Sequence, residues 1–295
     1  MADLVPPSTR GQVDEKVDYS NLPCPVGYDE VSSEAFEALN PGYFKGLSFN
    51  YCPAFFDEKF YISSTVVPVA LYKLGAYYFN TKLEFTGDVT ADTLTVRVKA
   101  VITDKLIVWA DTQLINGTRL DMKLVSLEYM GLNYRAEFEL GSKGLMAATY
   151  IQRVTPRLSL GGELFWASVR QKSGVGYAAR YETPTMVASA KVVSSGDVLM
   201  TYVHKISKKV SLATDFAYNC FSRNVNASVG YDCLSRMSRV QGKIDSNGVV
   251  YAILEKKINM GLGGVLSAIV DHKNKDYKLG LSLSYGSPGH PIHDV

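Results

Sequence analysis

Between Lys275 and Gly286, alternate residues fall into two chemical sets. Tyr277, Leu279, Leu281, Leu283 and Tyr285 form one set, and Asp276, Lys278, Gly280, Ser282 and Ser284 form the other. Side chains alternate sides along a strand, so this segment has an apolar face with an aromatic at each end and a polar face opposite. At about 3.3 Å per residue and about 45° of tilt, the two tyrosines stand roughly 19 Å apart along a membrane normal. That is close to the spacing of the aromatic girdles that bound the apolar band of a transmembrane β-barrel. One such strand fits half of a soluble sandwich equally well. Repetition decides between the two.

From Gly46 to Gly286 strand-like segments follow one another near 46–52, 58–67, 70–79, 81–90, 93–102, 105–115, 119–128, 132–141 and 143–152. They continue near 157–168, 173–183, 185–194, 196–205, 209–219, 222–233, 235–245, 247–256, 259–271 and 274–285, which makes nineteen. Turn chemistry marks several joins: Asn80 before Thr81, Ala91 with Asp92, Thr103 with Asp104, and Ser246, Asn247, Gly248. Alternation is clear where Leu83, Phe85, Gly87 and Val89 oppose Lys82, Glu84, Thr86 and Asp88. It is equally clear where Tyr134, Ala136, Phe138 and Leu140 oppose Arg135, Glu137 and Glu139. The segments near 143–152, 185–194, 196–205 and 247–256 do not separate into two faces. No helical interlude is long enough for a crossover, so neighbours must be antiparallel. The expected fold is all-β, a 19-stranded transmembrane β-barrel. An odd count makes its first and last strands parallel, a property of mitochondrial porins and not of the even-numbered bacterial barrels.

Composition agrees. No apolar run reaches the roughly 18 to 20 residues of a membrane-spanning helix, and only helices and closed barrels satisfy the backbone in lipid. Net charge is +2, so no strong nucleic-acid field is expected. The first residues, Met1 to Pro7, lack the basic and apolar parts of a secretory signal. Arg10 and Lys16 are outweighed by Asp3, Asp14, Glu15, Asp18, Asp29 and Glu30, which argues against a mitochondrial presequence. Cys24, Cys52, Cys220 and Cys233 show no metal-ligand spacing and read as thiols of a reducing compartment. His290 and His293 lie on a tail and read as solvated, so neither a metal nor a cofactor is expected. No nucleophile, phosphate loop or acid–base constellation marks an enzyme. Gly174, Val175, Gly176 and Ala179 have no following helix, so a dinucleotide fingerprint fails on context.

Three regions result. Residues 1–45 read as a mobile N-terminal segment with a helix over Asp29–Leu39, where Val31, Ala35, Phe36 and Leu39 cluster at helical spacing before Asn40 and Pro41. Residues 46–286 form the barrel and 287–295 a short tail.

Several segments carry a family resemblance. They are Val13 to Pro23 (VDEKVDYSNLP), Leu158 to Glu163 (LSLGGE), Lys172 to Glu182 (KSGVGYAARYE), Gly242 to Gly248 (GKIDSNG) and Asp276 to Gly280 (DYKLG). With these the chain resembles, over essentially its whole length, the channel-forming subunit of the translocase of the outer mitochondrial membrane, the TOM complex, in its plant-type form. Lys278, Gly280, Leu283 and Tyr285 match that family's β-signal. The resemblance implies that the sorting and assembly machinery reads this strand by β-augmentation, with the glycine admitting a close backbone. It also implies an N-terminal segment threaded through the barrel with its helix on the inner wall. The implied location is the mitochondrial outer membrane. The implied partners are precursor proteins, a single-helix receptor, small single-helix subunits, and further barrels in a dimer or higher oligomer. The connection around Val66 to Ala70 is shorter than the family's usual loop.

The alternation places Glu84, Asp88, Glu137, Glu139, Glu163, Glu182, Asp215 and Asp232 in the lumen, with Lys82, Arg97, Lys99, Arg135, Arg180, Arg239 and Lys243. A nucleotide pore would be expected to line itself with excess base. A near-even lumen better suits an unfolded, amphipathic, basic peptide meeting many weak sites of about 0.2 to 1 kcal/mol each. The expected function is a passive protein-conducting channel, with Glu137, Glu139, Glu163, Glu182 and Asp215 as presequence contacts. The alternatives are a voltage-dependent anion channel on the same barrel and a non-channel β-protein.

Overall fold

The computed structural model describes residues 22–56, 59–67, 71–115, 122–168, 172–259 and 261–286. The expectations for residues 1–21, for the connection at 68–70 and for the tail after Gly286 fall outside these. The barrel opens with β1 (Gly46–Tyr51), β2 (Phe60–Val67), β3 (Leu71–Phe79), β4 (Leu83–Val89), β5 (Thr93–Thr103), β6 (Leu106–Ile115) and β7 (Met122–Met130). It continues with β8 (Tyr134–Gly141), β9 (Leu145–Arg153), β10 (Leu158–Ala167), β11 (Lys172–Glu182), β12 (Met186–Val193) and β13 (Asp197–Ser207). The last staves are β14 (Val210–Asn219), β15 (Asn224–Leu234), β16 (Ser238–Asp245), β17 (Val249–Asn259), β18 (Leu262–Asp271) and β19 (Asp276–Tyr285).

Each stave pairs antiparallel with the next, and β1 closes the wall by pairing parallel with β19, from Gly46 opposite Gly280 to Tyr51 opposite Tyr285. The closed nineteen-stave barrel and its parallel seam are therefore as the strand count requires. β1 is short because Cys52 and Pro53 interrupt it; proline brings no N–H to a ladder. Ala54 and Phe55 then resume pairing with Tyr61 and Phe60. The Cys52 N–H still reaches the Tyr285 carbonyl at 2.8 Å, which holds the seam shut. The expected turn at Ser246–Gly248 is present, with Gly248 at φ 81°, a left-handed conformation that glycine adopts without a Cβ clash.

The register settles the faces. Tyr277, Leu279, Leu281, Leu283 and Tyr285 point outward, and Tyr277 and Leu279 are 66% and 71% exposed. In water such a wall would be an aggregation surface; in hydrocarbon it is solvated by lipid tails. Rings stack along one rim of this band: Tyr129 on Tyr134, Tyr134 on Tyr150, and Tyr51 on Tyr285 across the seam.

The segments whose faces the alternation leaves open resolve for a single reason. Ile151 on β9, Val187 on β12, Val203 on β13 and Ile253 on β17 point inward and are buried. Three of them meet the N-terminal segment. A 3-10 turn (Asp29–Ser32) leads into α1 (Ser33–Leu39). Ala35, Ala38 and Leu39 pack on Val187, Val203 and Ala213, while Tyr28 and Val31 pack on Ile151 and Ala178. A helix of this length does not persist alone in water, so the wall holds it.

Candidate functional site: the lumen and its inner belt

Residues 22–44 run along the inside of the wall from β8 to β19, tethered at intervals. Near the start, the Cys24 thiol lies 3.6 Å from the Tyr134 carbonyl. Arg135 then reaches Glu30 at 3.0 Å, and Lys191 reaches Asp29 at 3.0 Å while lying over the Tyr28 ring. Arg180, 2% exposed, donates to both carboxylate oxygens of Glu34 and, at 2.8 Å, to the Val31 carbonyl. Ser32 shares a hydrogen bond with Ser189, which shares another with Thr201. Further on, Gln241 donates to the Glu37 carbonyl at 2.8 Å and Lys243 to Asn40 Oδ1 at 3.0 Å. Finally the Phe44 N–H meets Ser267 Oγ at 3.4 Å. Phe44 lies so close over Gly280 that a Cβ there would stand 2.5 Å from its carbonyl oxygen.

This belt is acidic. Leu22 to Phe44 includes Asp29, Glu30, Glu34 and Glu37 but no lysine or arginine. Burial works to raise the Glu34 pKa, but the hydrogen bonds and charge of Arg180, a backbone hydrogen bond and the charge of Lys205 together outweigh it and hold the carboxyl below its ordinary value. Burial also pushes the Tyr28 phenol up, with the neighbouring Glu163 adding to the effect.

The strand residues expected in the lumen point there, while Lys82 lies exposed in the turn before β4; those on the strands divide into two groups. Most are paired within the wall. Arg97 bonds Asp111 at 2.8 Å, Lys99 bonds Glu84 at 3.0 Å, Arg239 bonds Asp232 at 2.7 Å, and Lys243 lies 3.3 Å from Asp245. Glu182 lies 3.3 Å from Arg180 and 3.7 Å from Arg153. Asp215, on β14, accepts a hydrogen bond from Ser228 on β15. The second group is Glu137 and Glu139: among the described residues, neither has a base within ion-pair distance. Their carboxylate oxygens and those of Asp29 lie within 4.8 Å of one another. That grouping has the spacing of a metal site, but Lys191 already neutralises Asp29. Glu163 stands nearby, 3.7 Å from Lys191. A cavity of roughly 270 Å³ opens beside them, lined by Asp29, Glu30, Trp109, Glu128, Arg135 and Glu137 among others.

Asp29, Glu30, Glu34, Glu128 and Lys191 are absent from the residues the sequence proposes for the lumen site. The acid-only composition of the helix was a readable signal for three of them. Lys191 lies in a strand whose alternation is blurred, and Glu128 lies at the end of the segment expected near 119–128. The terminal strand has Lys278 and Gly280 facing inward and Leu283 and Tyr285 outward, with Lys278 bonded to Asp276 at 2.7 Å.

A closed wall with an apolar outside, a charged inside and an inner belt defines a transmembrane β-barrel of the channel-forming kind. The chain belongs to the eukaryotic porin family, whose profile matches residues 24–280. Within it, the chain is similar to the probable mitochondrial import receptor subunit TOM40-2 of Arabidopsis thaliana, 44% identical over 96% of this chain and 99% of that one. It is also similar to the TOM40 homologue of Xenopus tropicalis, 27% identical over 82% and 76% of the two chains. The human TOM40 homologue is 29% identical over 54% of this chain and 47% of its own length. Among solved structures, a mutant of the Rh. blastica porin aligns at a TM-score of 0.48 and 7% identity, over 66% of this chain and 89% of that one.

Proposed function

We infer that this protein is the channel through which precursor proteins cross the mitochondrial outer membrane. The observation that carries the reading is the acidic sector of the lumen, where, among the described residues, Glu137 and Glu139 stand without a base in ion-pair distance beside Glu163 and Asp29. A basic, amphipathic targeting segment finds there a field of the right sign, focused by the low-dielectric wall around the wet lumen. Each contact is weak, so the segment advances instead of lodging. The runner-up, a metabolite channel for anions, needs bases open to the pore. Arg97, Lys99, Arg180 and Arg239 are each tied to a carboxylate.

The protein carries out passage and no covalent chemistry. Its partners follow from the same reading: other subunits of a translocase against the outer wall, a second barrel, and the assembly machinery at β19. Recording single channels in planar bilayers with a synthetic presequence on one side tests the core claim. Cation-preferring conductance with brief peptide blockades is expected, and Glu137→Gln, Glu139→Gln and Glu163→Gln together should weaken the blockade about tenfold or more. Anion-preferring conductance indifferent to the peptide would make the metabolite channel the better account.

A further inference from the structure

Three bases of the inner wall are each met by an acid of the N-terminal segment: Arg135 by Glu30, Arg180 by Glu34 and Lys191 by Asp29. All three bases also lie beside wall acids. Arg135 contacts Glu128, Arg180 lies 3.3 Å from Glu182, and Lys191 lies 3.7 Å from Glu163. The wall could therefore have neutralised its own bases. With the segment docked, the described lumen-facing side chains of this sector hold Asp29, Glu30, Glu34, Glu128, Glu137, Glu139, Glu163 and Glu182 against Arg135, Arg153, Arg180, Lys191 and Lys205. That is eight carboxylates to five bases. Without the three acids of the segment it would be five to five, an even balance.

We propose that the N-terminal helix is the charge selector of the pore: Asp29, Glu30 and Glu34 offset Arg135, Arg180 and Lys191, and so leave the wall acids to set the field that ions and basic peptides meet. The selectivity filter is then partly built from a removable element, since the segment lies against the wall through side chains and not through the sheet. Two features suit the role. Asp29 and Glu30 are 60% and 56% exposed, so their charge faces the passage. Arg180 is the opposite, sealed under the helix with its guanidinium bonded on both edges. An arginine at 2% exposure contributes little to the field in the pore while Glu34 covers it, and would contribute more once uncovered.

The proposal rests on the channel reading, and the experiment separates the two. The full-length barrel is recorded in planar bilayers under a potassium chloride gradient, then with a synthetic basic amphipathic peptide on one side. A wild-type barrel that prefers anions and ignores the peptide overturns the channel reading itself. Given a cation-preferring wild type, the variant Asp29→Asn, Glu30→Gln, Glu34→Gln should lose most of that preference and bind the peptide about tenfold more weakly. Adding Arg135→Gln, Arg180→Gln and Lys191→Gln to that variant should restore both. A triple variant with wild-type selectivity overturns the selector; so does a loss that the added changes fail to reverse, which would mark the helix as merely structural. If the triple variant does not insert, Glu30→Gln alone, at an exposed position, must lower the cation preference measurably, and a null result there overturns the proposal equally.

Discussion

Arg180 of the wall donates two hydrogen bonds to the carboxylate of Glu34 on the helix, joining residues 146 positions apart in the chain. The guanidinium is almost wholly buried while the carboxylate is 31% exposed, so the pair sits at the edge between packed interior and wet lumen. Removing one partner leaves the other half-desolvated without its counter-charge, which costs more than the pair itself contributes.

Arg180→Met is therefore expected to loosen the helix without opening the barrel. The docking loss should be about 2 kcal/mol, below the figure for a fully buried pair because Glu34 is partly screened. Hydrogen exchange over residues 33–39 should quicken by about thirtyfold while exchange in β14 and β15 stays slow. Unchanged exchange in the helix would show that apolar packing alone holds it.

The same pair predicts a pH dependence. The Glu34 carboxyl is held below its ordinary value in the folded chain, so its contribution to docking is fully present above the unfolded value of 4.5. It is lost as the pH falls through the depressed folded value. Acidification below 4.5 should release the helix, seen as a rise in channel noise or as faster exchange, and Glu34→Gln should flatten the response. A helix that loosens instead on raising the pH would contradict the sign.

Gly280→Ala should disturb the seam. The added methyl would stand 2.5 Å from the Phe44 carbonyl oxygen and 2.7 Å from its ring. Overpacking of this kind costs about 1–3 kcal/mol. At Gly162 a methyl meets nothing closer than 3.6 Å, so Gly162→Ala serves as the neutral control. Thermal unfolding of the two variants in detergent should differ accordingly. Adding Phe44→Ala should recover part of the loss by removing the ring, though not the carbonyl.

A charge scan of β19 tests the faces directly. Leu281→Lys places an ammonium against lipid near mid-strand and should cost about 2–4 kcal/mol of barrel stability. Ser282→Lys, one residue on and facing the lumen, should be tolerated and should instead shift conductance. Equal effects on stability would mean that the assigned register is wrong.

How much of this was legible beforehand depended on contrast. Along β8 the outward Tyr134, Ala136, Phe138 and Leu140 alternate with Arg135, Glu137 and Glu139, because one face meets lipid and the other meets water. Strands with that contrast announced their faces, and turn residues such as Asn247 and Gly248 announced their ends. Strands β9, β12, β13 and β17 did not, because Ile151, Val187, Val203 and Ile253 face inward yet are buried. An apolar residue is in place on both faces there, and the period of two disappears. The candidate site followed the same pattern. Glu137, Glu139 and Glu163 could be placed in the lumen by alternation, whereas nothing in the spacing of Glu182 or Asp215 foretold that Arg180, Arg153 and Ser228 would occupy them.

The amino-acid sequence by itself determined the class of structure. Nineteen amphipathic strands with short turns have no way to satisfy their backbone and their apolar faces except as a closed barrel in lipid, and an odd count forces one parallel seam. Only the tertiary structure decided the charge of the pore. Ion pairs such as Arg180 with Glu34 and Lys191 with Asp29 join residues far apart in the chain, and local periodicity has no information about distant partners. Which carboxylates remain to act on a passing peptide depends on where the N-terminal helix comes to rest, and that is a property of packing against the completed wall.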